Sequence, residues 1–230
     1  MWAIIFGTVL VAGATTAAFN IGQRNAPKNP ENPEQLITML TQPIIHNASA
    51  LGTGKANITL VEFGDYQCQF CARFHRETKD LIVNNYVNTG MINFLFKDFV
   101  INDRPSDKLS TLAAIGSYCA AEQGKYWPYH DEVYTNSKGE NTPWVSKNSL
   151  TQFAVYAGVT DVKKFSTCLD SKKYENLVTT NDKLAKSIGL TSTPTFILIS
   201  PGQPALKIVG AQPYSVFQGA INQILTQIPS

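Results

Sequence analysis

The sequence predicts an α/β fold in which a βαβ unit, a long helical insertion and a ββα unit follow one another, preceded by a hydrophobic helix. Three observations carry that expectation. An apolar strand pattern at 58–63 runs into a helical stripe that opens at Cys68. A second strand pattern covers 91–99. After a long stretch of helical periodicity, two more strand patterns stand at 195–199 and 206–209.

Residues 58–63 are β-branched, aliphatic or aromatic apart from Glu62, as a buried strand requires, and Gly64 and Asp65 mark the turn that follows. From Cys68, the residues Phe70, Cys71, Phe74, Thr78, Leu81, Ile82 and Tyr86 recur at three- and four-residue intervals and trace one helix face. The 91–99 strand should run parallel to the first, because a helix joins them. Leu109, Leu112, Ala113, Gly116 and Ala120 then outline a helix, and further helices are expected at 126–134, 150–157, 162–169 and 172–188. Turn signals at Gly139, Pro143 and Gly158 separate several of these. Pro201-Gly202 links the last two strands, and a final helix starts near Ser215.

The domain expected from this pattern spans 51–228, with the helical insertion at about 104–170. Residues 23–50 read as a linker and lead-in, rich in proline and asparagine between Asn25 and Pro33. From Trp2 to Gly22 no side chain is charged. As a helix that run would be about 30 Å long, enough to cross a bilayer, so 1–22 is read as a signal peptide or a membrane anchor, the anchor being preferred. Small-residue cleavage sites at 12–14 and 16–18 keep the signal peptide open. Arg24 and Lys28 follow the span rather than precede it, against the usual charge bias. Two Asn-x-Ser/Thr triplets, at Asn47 and Asn57, carry little weight. With a net charge of +2 and 43% hydrophobic residues, the chain can bury one core and shows no pull toward nucleic acid.

The chemistry is concentrated in Cys68-Gln69-Phe70-Cys71. Cys68 falls at a helix start, where unpaired amides and the positive end of the macrodipole favour an anion. Cys71, one turn on, is within disulfide reach but deeper, so the pair is expected to be asymmetric, with Cys68 reactive and Cys71 resolving. A structural zinc site would need a second ligand pair at short spacing, whereas Cys119 and Cys168 each lie roughly fifty residues further along. His75 extends the motif to Cys-x-x-Cys-x-x-x-His and keeps a metal- or partner-binding module open as an alternative, although an ordinary histidine on an amphipathic helix is the plainer reading. No metal and no cofactor is expected.

Thr193-Pro194 stands immediately before the third strand, where a proline costs no ladder bond. A cis bond there would turn the Thr193 amide and carbonyl outward, beside Cys68, to pair with an extended substrate. Cys119 and Cys168, both within the helical region, are expected to bridge in an oxidising compartment; two inert buried thiols are the alternative. Tyr66 and Phe70 are read as an apolar rim for unfolded polypeptide. Trp127 is as well explained by packing.

The segments 62–71, 123–131 and 189–195 together resemble the DsbA-like thiol–disulfide oxidoreductases of the thioredoxin superfamily, over about residues 50–228. The resemblance implies a thioredoxin fold with an inserted helical domain and catalysis by Cys68 and Cys71, with Thr193 and Pro194 beside them. It also places a partly buried carboxylate, Glu62, beneath Cys71 to accept or relay its proton. Lys97 on the neighbouring strand is the expected counter-ion, since an unpaired buried carboxylate is costly. It implies an extracytoplasmic enzyme, in the periplasm or at the cell surface, that oxidises reduced exported proteins and is itself re-oxidised by a membrane partner of the DsbB-like or vitamin K epoxide reductase-like type. Gln69-Phe70 departs from the Pro-His of the best-known oxidising members. A reductase or isomerase on the same fold is therefore the alternative.

Overall fold

The structure, a computed structural model, describes residues 33–42, 48–140 and 142–227. The hydrophobic run at 1–22, most of the proline-rich linker and Asn47 lie outside those residues. Among the described residues, no helix is long and apolar enough to cross a membrane.

Five strands form one mixed sheet in the order β1-β3-β2-β4-β5. Strands β2 (Ile58–Gly64) and β3 (Ile92–Asp98) are parallel and fully buried, with Glu62 paired to Phe96 and Phe63 to Lys97. The connection between them is helix α2 at 69–87, in which two π-helical turns, His75–Lys79 and Val83–Val87, interrupt α-helical geometry. Strand β4 (Thr195–Ile199) runs antiparallel to β2, and β5 (Leu206–Val209) antiparallel to β4.

Alternation along the strands assigns each side chain to a face. Leu60, Phe94, Phe196 and Leu198 point to one face, covered by Phe74, Ile82 and Tyr86 of α2 and by Phe217, Ile221 and Ile224 of the last helix, α8 (Tyr214–Leu225). Val61, Phe63, Leu95, Ile197 and Ile199 point to the other, covered by Leu40 and by Leu184 and Ala185. Leu40 belongs to a helix within the segment read as linker and lead-in: α1 spans Pro33–Thr41. Proline suits a helix's first position because that amide has no intrahelical partner. The two-residue strand β1 (Ala50–Leu51) then pairs with β3. Both elements are corrections to the sequence reading, α1 being hidden by the proline-rich stretch it follows and β1 by its length.

Between β3 and β4 come α3 (Leu109–Ala121), α4 (Tyr126–Thr135), α5 (Lys147–Tyr156), α6 (Val162–Asp170) and α7 (Glu175–Ser187). Ser146 and Ser149 close a capping box at the start of α5, and Asp161 caps α6 through the Lys164 amide at 2.8 Å. Leu184 and Ala185, on α7, cover the sheet itself, whereas α3 to α6 enclose a second core against the carboxyl ends of β2 and β3. Cys119 of α3 and Cys168 of α6 form a disulfide across a sequence separation of 49. Closing a loop of that length contributes about 4 kcal/mol on the chain-entropy account. At the seam between the cores, Asp98 accepts hydrogen bonds from the Tyr118 hydroxyl and, at 2.8 Å, from the Asn181 amide. Gly64 also lies at this seam. A Cβ there would meet Phe96 Cε2 at 2.5 Å, so only glycine lets that ring close up to β2.

Candidate active site

Cys68 is the N-cap of α2, with extended backbone dihedrals, and the helix begins at Gln69. Asp65 builds the turn that presents it. Its carboxylate accepts from the Gln67 amide at 2.8 Å and from the Asn102 amide at 2.8 Å, tying the Cys68 loop to the loop after β3. The sequence reading had Asp65 as a turn residue, and it is one, but a buried one. Burial raises its pKa to about 7, against the opposing bonds from Ser110, Asn102 and Gln67.

The thiolate of Cys68 is favoured, its pKa lowered to about 6. The largest cause is a bond from the Cys71 thiol; burial opposes it, and Thr193 and the amides of Cys71 and Phe70 add to it. The helix-start amides therefore contribute less than the neighbouring thiol does. Cys71 is fully buried, and burial together with Cys68 pushes its thiol well above the ordinary value. At neutral pH the pair holds one proton, on Cys71. That is the asymmetry a thiol–disulfide exchange site needs.

The Thr193-Pro194 bond is cis. It places the Thr193 carbonyl 3.4 Å from Cys68 Sγ, where it accepts from the thiol. The buried Thr193 side chain also favours the thiolate. The Pro194 carbonyl accepts from the Gly210 amide at 2.8 Å, which fixes the turn against the end of β5. Glu62 is 1% exposed on the sheet face that carries Phe96, and burial raises its pKa to about 8.

A family model described as Thioredoxin matches residues 46–200. The chain belongs to the thioredoxin family. Disulfide bond formation protein D of Bacillus subtilis is 24% identical over 154 residues, covering 67% of this chain and 68% of that protein. A putative protein-disulfide oxidoreductase of Rickettsia typhi is 24% identical over 168 residues, covering 71% of this chain and 58% of its relative. Among solved structures, oxidised BdbD of Bacillus subtilis superposes with a TM-score of 0.70 at 23% identity, covering 80% of this chain and 96% of that one. Wolbachia pipientis alpha-DsbA1 superposes with 0.68 at 22% identity, covering 80% and 94%. The matched proteins are thus thiol–disulfide oxidoreductases by name, and the fold they share with this chain is the DsbA-like one.

Two sequence expectations for this thioredoxin-family site are corrected by the structure. Lys97 pairs in register with Phe63, not Glu62, so its side chain leaves the opposite face of the sheet. There its ammonium donates to the Gln42 carbonyl at 3.1 Å, and burial lowers its pKa to about 8. The charge that most opposes the desolvation of Glu62 is instead Lys79, on the first π-helical turn of α2. Lys97→Met is accordingly expected to leave the pH profile of Cys68 alkylation unmoved, as measured by iodoacetamide rates from pH 4 to 9; a displaced profile would restore Lys97 to the site. Tyr66 is not a rim residue either. It is 1% exposed, with its ring 5.0 Å from Tyr134 and 5.5 Å from Phe96. Phe70 is 45% exposed, with the Arg73 guanidinium 5.2 Å from its ring centroid.

His75 does not join the two cysteines. Its neighbours are His130 and Asp131 of α4, and the possible ligand atoms of these three lie within 4.8 Å of one another. The Lys79 ammonium is already 2.7 Å from the Asp131 carboxylate, which a bound cation would have to displace. Lys79, His130 and Asp131 were not singled out from the sequence. The signal available was the four-residue spacing of His75 and Lys79, which puts both on one face of α2.

Proposed function

We propose that this thioredoxin-family protein introduces disulfide bonds into exported proteins through Cys68 and Cys71, with Glu62 as the proton partner of Cys71 and the Thr193-Pro194 turn as the backbone rest for substrate. The single observation that carries this is Cys68 at the start of α2, with its thiolate favoured and the Thr193 carbonyl 3.4 Å away. Starting from the Cys68–Cys71 disulfide, a substrate thiolate attacks Cys68 Sγ. The bond to Cys71 breaks, its electron pair stays on Cys71, and the proton comes from Glu62. A second substrate thiolate then attacks the substrate sulfur of the mixed disulfide and expels Cys68 as a thiolate. The substrate loses two electrons, and the enzyme gains them as a thiol and a thiolate.

A membrane redox partner, of the DsbB-like or vitamin K epoxide reductase-like type, would return the pair to the disulfide. The hydrophobic run at 2–22 would hold the enzyme outside the cytoplasm, as an anchor followed by a tether. Phe70, exposed between the two cysteines, offers the apolar contact for unfolded clients.

A thiolate pKa of about 6 leaves Cys68 ionised tenfold over its thiol at pH 7. That stabilises the reduced pair by about 1.4 kcal/mol, or about 30 mV for two electrons. The reading is tested by the reduction potential, measured against glutathione. A value clearly positive of the glutathione poise of about −220 to −260 mV is expected; one at or below it makes the enzyme a reductase.

A further inference from the structure

We propose that Lys79, clamped by Asp131 further along the helix that carries the thiol pair, is a positioning residue whose ammonium governs how readily Glu62 takes and returns the Cys71 proton. This rests on the reading of Glu62 as the proton partner of Cys71.

The geometry argues for it first. The Lys79 side chain is 5% exposed, and its Nζ lies 2.7 Å from Asp131 Oδ1 and 5.9 Å from the centroid of the Trp127 ring. Asp80, 80% exposed, stands at 3.5 Å, and the nearer partner, Asp131, is the better buried of the two at 44%. Burying an ammonium is costly unless it is paired, and an interior charge acts over a longer range than a surface one. The lysine sits eight residues beyond Cys71 on the helix that carries the thiol pair. His130, next to Asp131 on α4, packs its ring 4.8 Å from Phe96, the residue in register with Glu62, and 4.8 Å from Tyr134.

The charges around the two groups point the same way. Glu62 is acted on by Lys79, which favours its carboxylate, and by Cys68, which disfavours it; Cys71 and Tyr134 in turn feel the Glu62 charge. On the Lys79 side stand Asp131, Asp80, His75 and His130, with Arg76 acting on His75. Burial lowers both histidines, His75 to about 3 and His130 to about 4, so neither adds a competing cation at neutral pH. Lys79 is therefore the cation to which Glu62 responds. Asp131 keeps it in place, itself held below the usual carboxylate range, against its burial, by a hydrogen bond with the His130 ring and by the bond and charge of Lys79.

The step at issue is resolution of a mixed disulfide on Cys68 by Cys71. The Cys71 proton moves to the Glu62 carboxylate, the Cys71–Cys68 bond forms, and the substrate leaves as a thiolate. The experiment loads a fluorescent peptide onto Cys68 as a mixed disulfide and follows its release by stopped flow from pH 5 to 10, in the full chain. Lys79→Met should move the inflection up by about one unit, because a nearby opposite charge has been removed. Lys79→Arg should restore it. In a Glu62→Gln background, Lys79→Met should have no further effect.

If the inflection stays put in Lys79→Met while Glu62→Gln abolishes it, the Lys79 proposal fails and the Glu62 reading stands. If Glu62→Gln leaves the profile unchanged, both fall. Should Lys79→Met not fold, Asp131→Asn, which keeps the lysine but loosens its clamp, must still displace the inflection; an unmoved inflection there overturns the proposal.

Discussion

Replacing Cys68 by serine is expected to abolish thiol–disulfide exchange outright, whereas replacing Cys71 by serine should leave an enzyme that captures disulfide-bearing clients and lacks the neighbouring thiol that displaces them. The difference follows from where each sulfur sits. Cys68 is the nucleophile and leaving group, at the start of α2 and beside the Thr193 carbonyl. Cys71 is buried behind it with its proton retained: it is the leaving group when a client attacks the disulfide and, in the reverse direction, the thiol that displaces a client from Cys68. Cys68→Ser should form no adducts with test proteins that carry disulfides, whereas a lone Cys68 thiolate attacks such a disulfide and expels a client thiolate. Cys71→Ser should accumulate these adducts, visible as reducible bands on a non-reducing gel. A subtler consequence concerns the thiolate. Because the bond from the Cys71 thiol is the largest cause of the low Cys68 pKa, Cys71→Ala should shift iodoacetamide alkylation of Cys68 to a midpoint above pH 6. A serine hydroxyl at 71 can still donate, so Cys71→Ser should titrate between the alanine variant and the wild type. Full refolding activity in both serine variants would remove the catalytic assignment.

The parts of this site that the sequence makes legible are local ones. The βαβ run, the placement of Cys68 at a helix start and the proline at the head of β4 each depend on a few neighbouring residues whose pattern has one structural meaning. What was not legible depends on which way a side chain faces. Lys97 and Glu62 sit on adjacent strands, and sequence alone does not give the register. Once Glu62 is paired with Phe96, the period of two sends Lys97 to the far face. Lys79, eight residues past Cys71, was one cation among several on an amphipathic helix until α4 supplied Asp131 against it. Tyr66 reads as part of an apolar rim because it neighbours a reactive group, whereas Phe96, Tyr134 and His130, brought from distant positions, enclose it. The helix Pro33–Thr41 is short and opens with proline at the end of a proline-rich stretch, so composition argued for a linker. Its burial of Leu40 against the sheet is a tertiary fact.

Glu62→Gln should make the protein more stable and the enzyme slower. The Glu62 pKa is raised from 4.5 to about 8 by burial, so from pH 4.5 upward the folded state holds a proton that the unfolded chain has released. Any stability this group lends is complete below 4.5 and is lost as pH rises through 8. At pH 7 the cost is about 3 kcal/mol, as an order of magnitude, and a neutral glutamine avoids it. Cys68 has the opposite sign. Lowered from 9 to about 6, its thiolate contributes stability that is present above pH 9 and lost as pH falls through 6. In the reduced protein between pH 6 and 8 the two slopes oppose, one proton against one. In the disulfide form Cys68 no longer titrates, so the Glu62 slope is exposed, moderated because the thiolate no longer adds to the shift. Asp65, raised to about 7, adds a falling slope in both forms and in the variant. Urea denaturation from pH 5 to 8 should therefore show the oxidised wild type losing stability more steeply than the reduced one, and oxidised Glu62→Gln losing less than oxidised wild type. The step that moves the Cys71 proton should slow in the variant by about 100-fold or more, the usual scale for losing a positioned acid or base. If oxidised Glu62→Gln and wild type run parallel across that range, the carboxyl is not held protonated, and the proton route drawn through it is wrong.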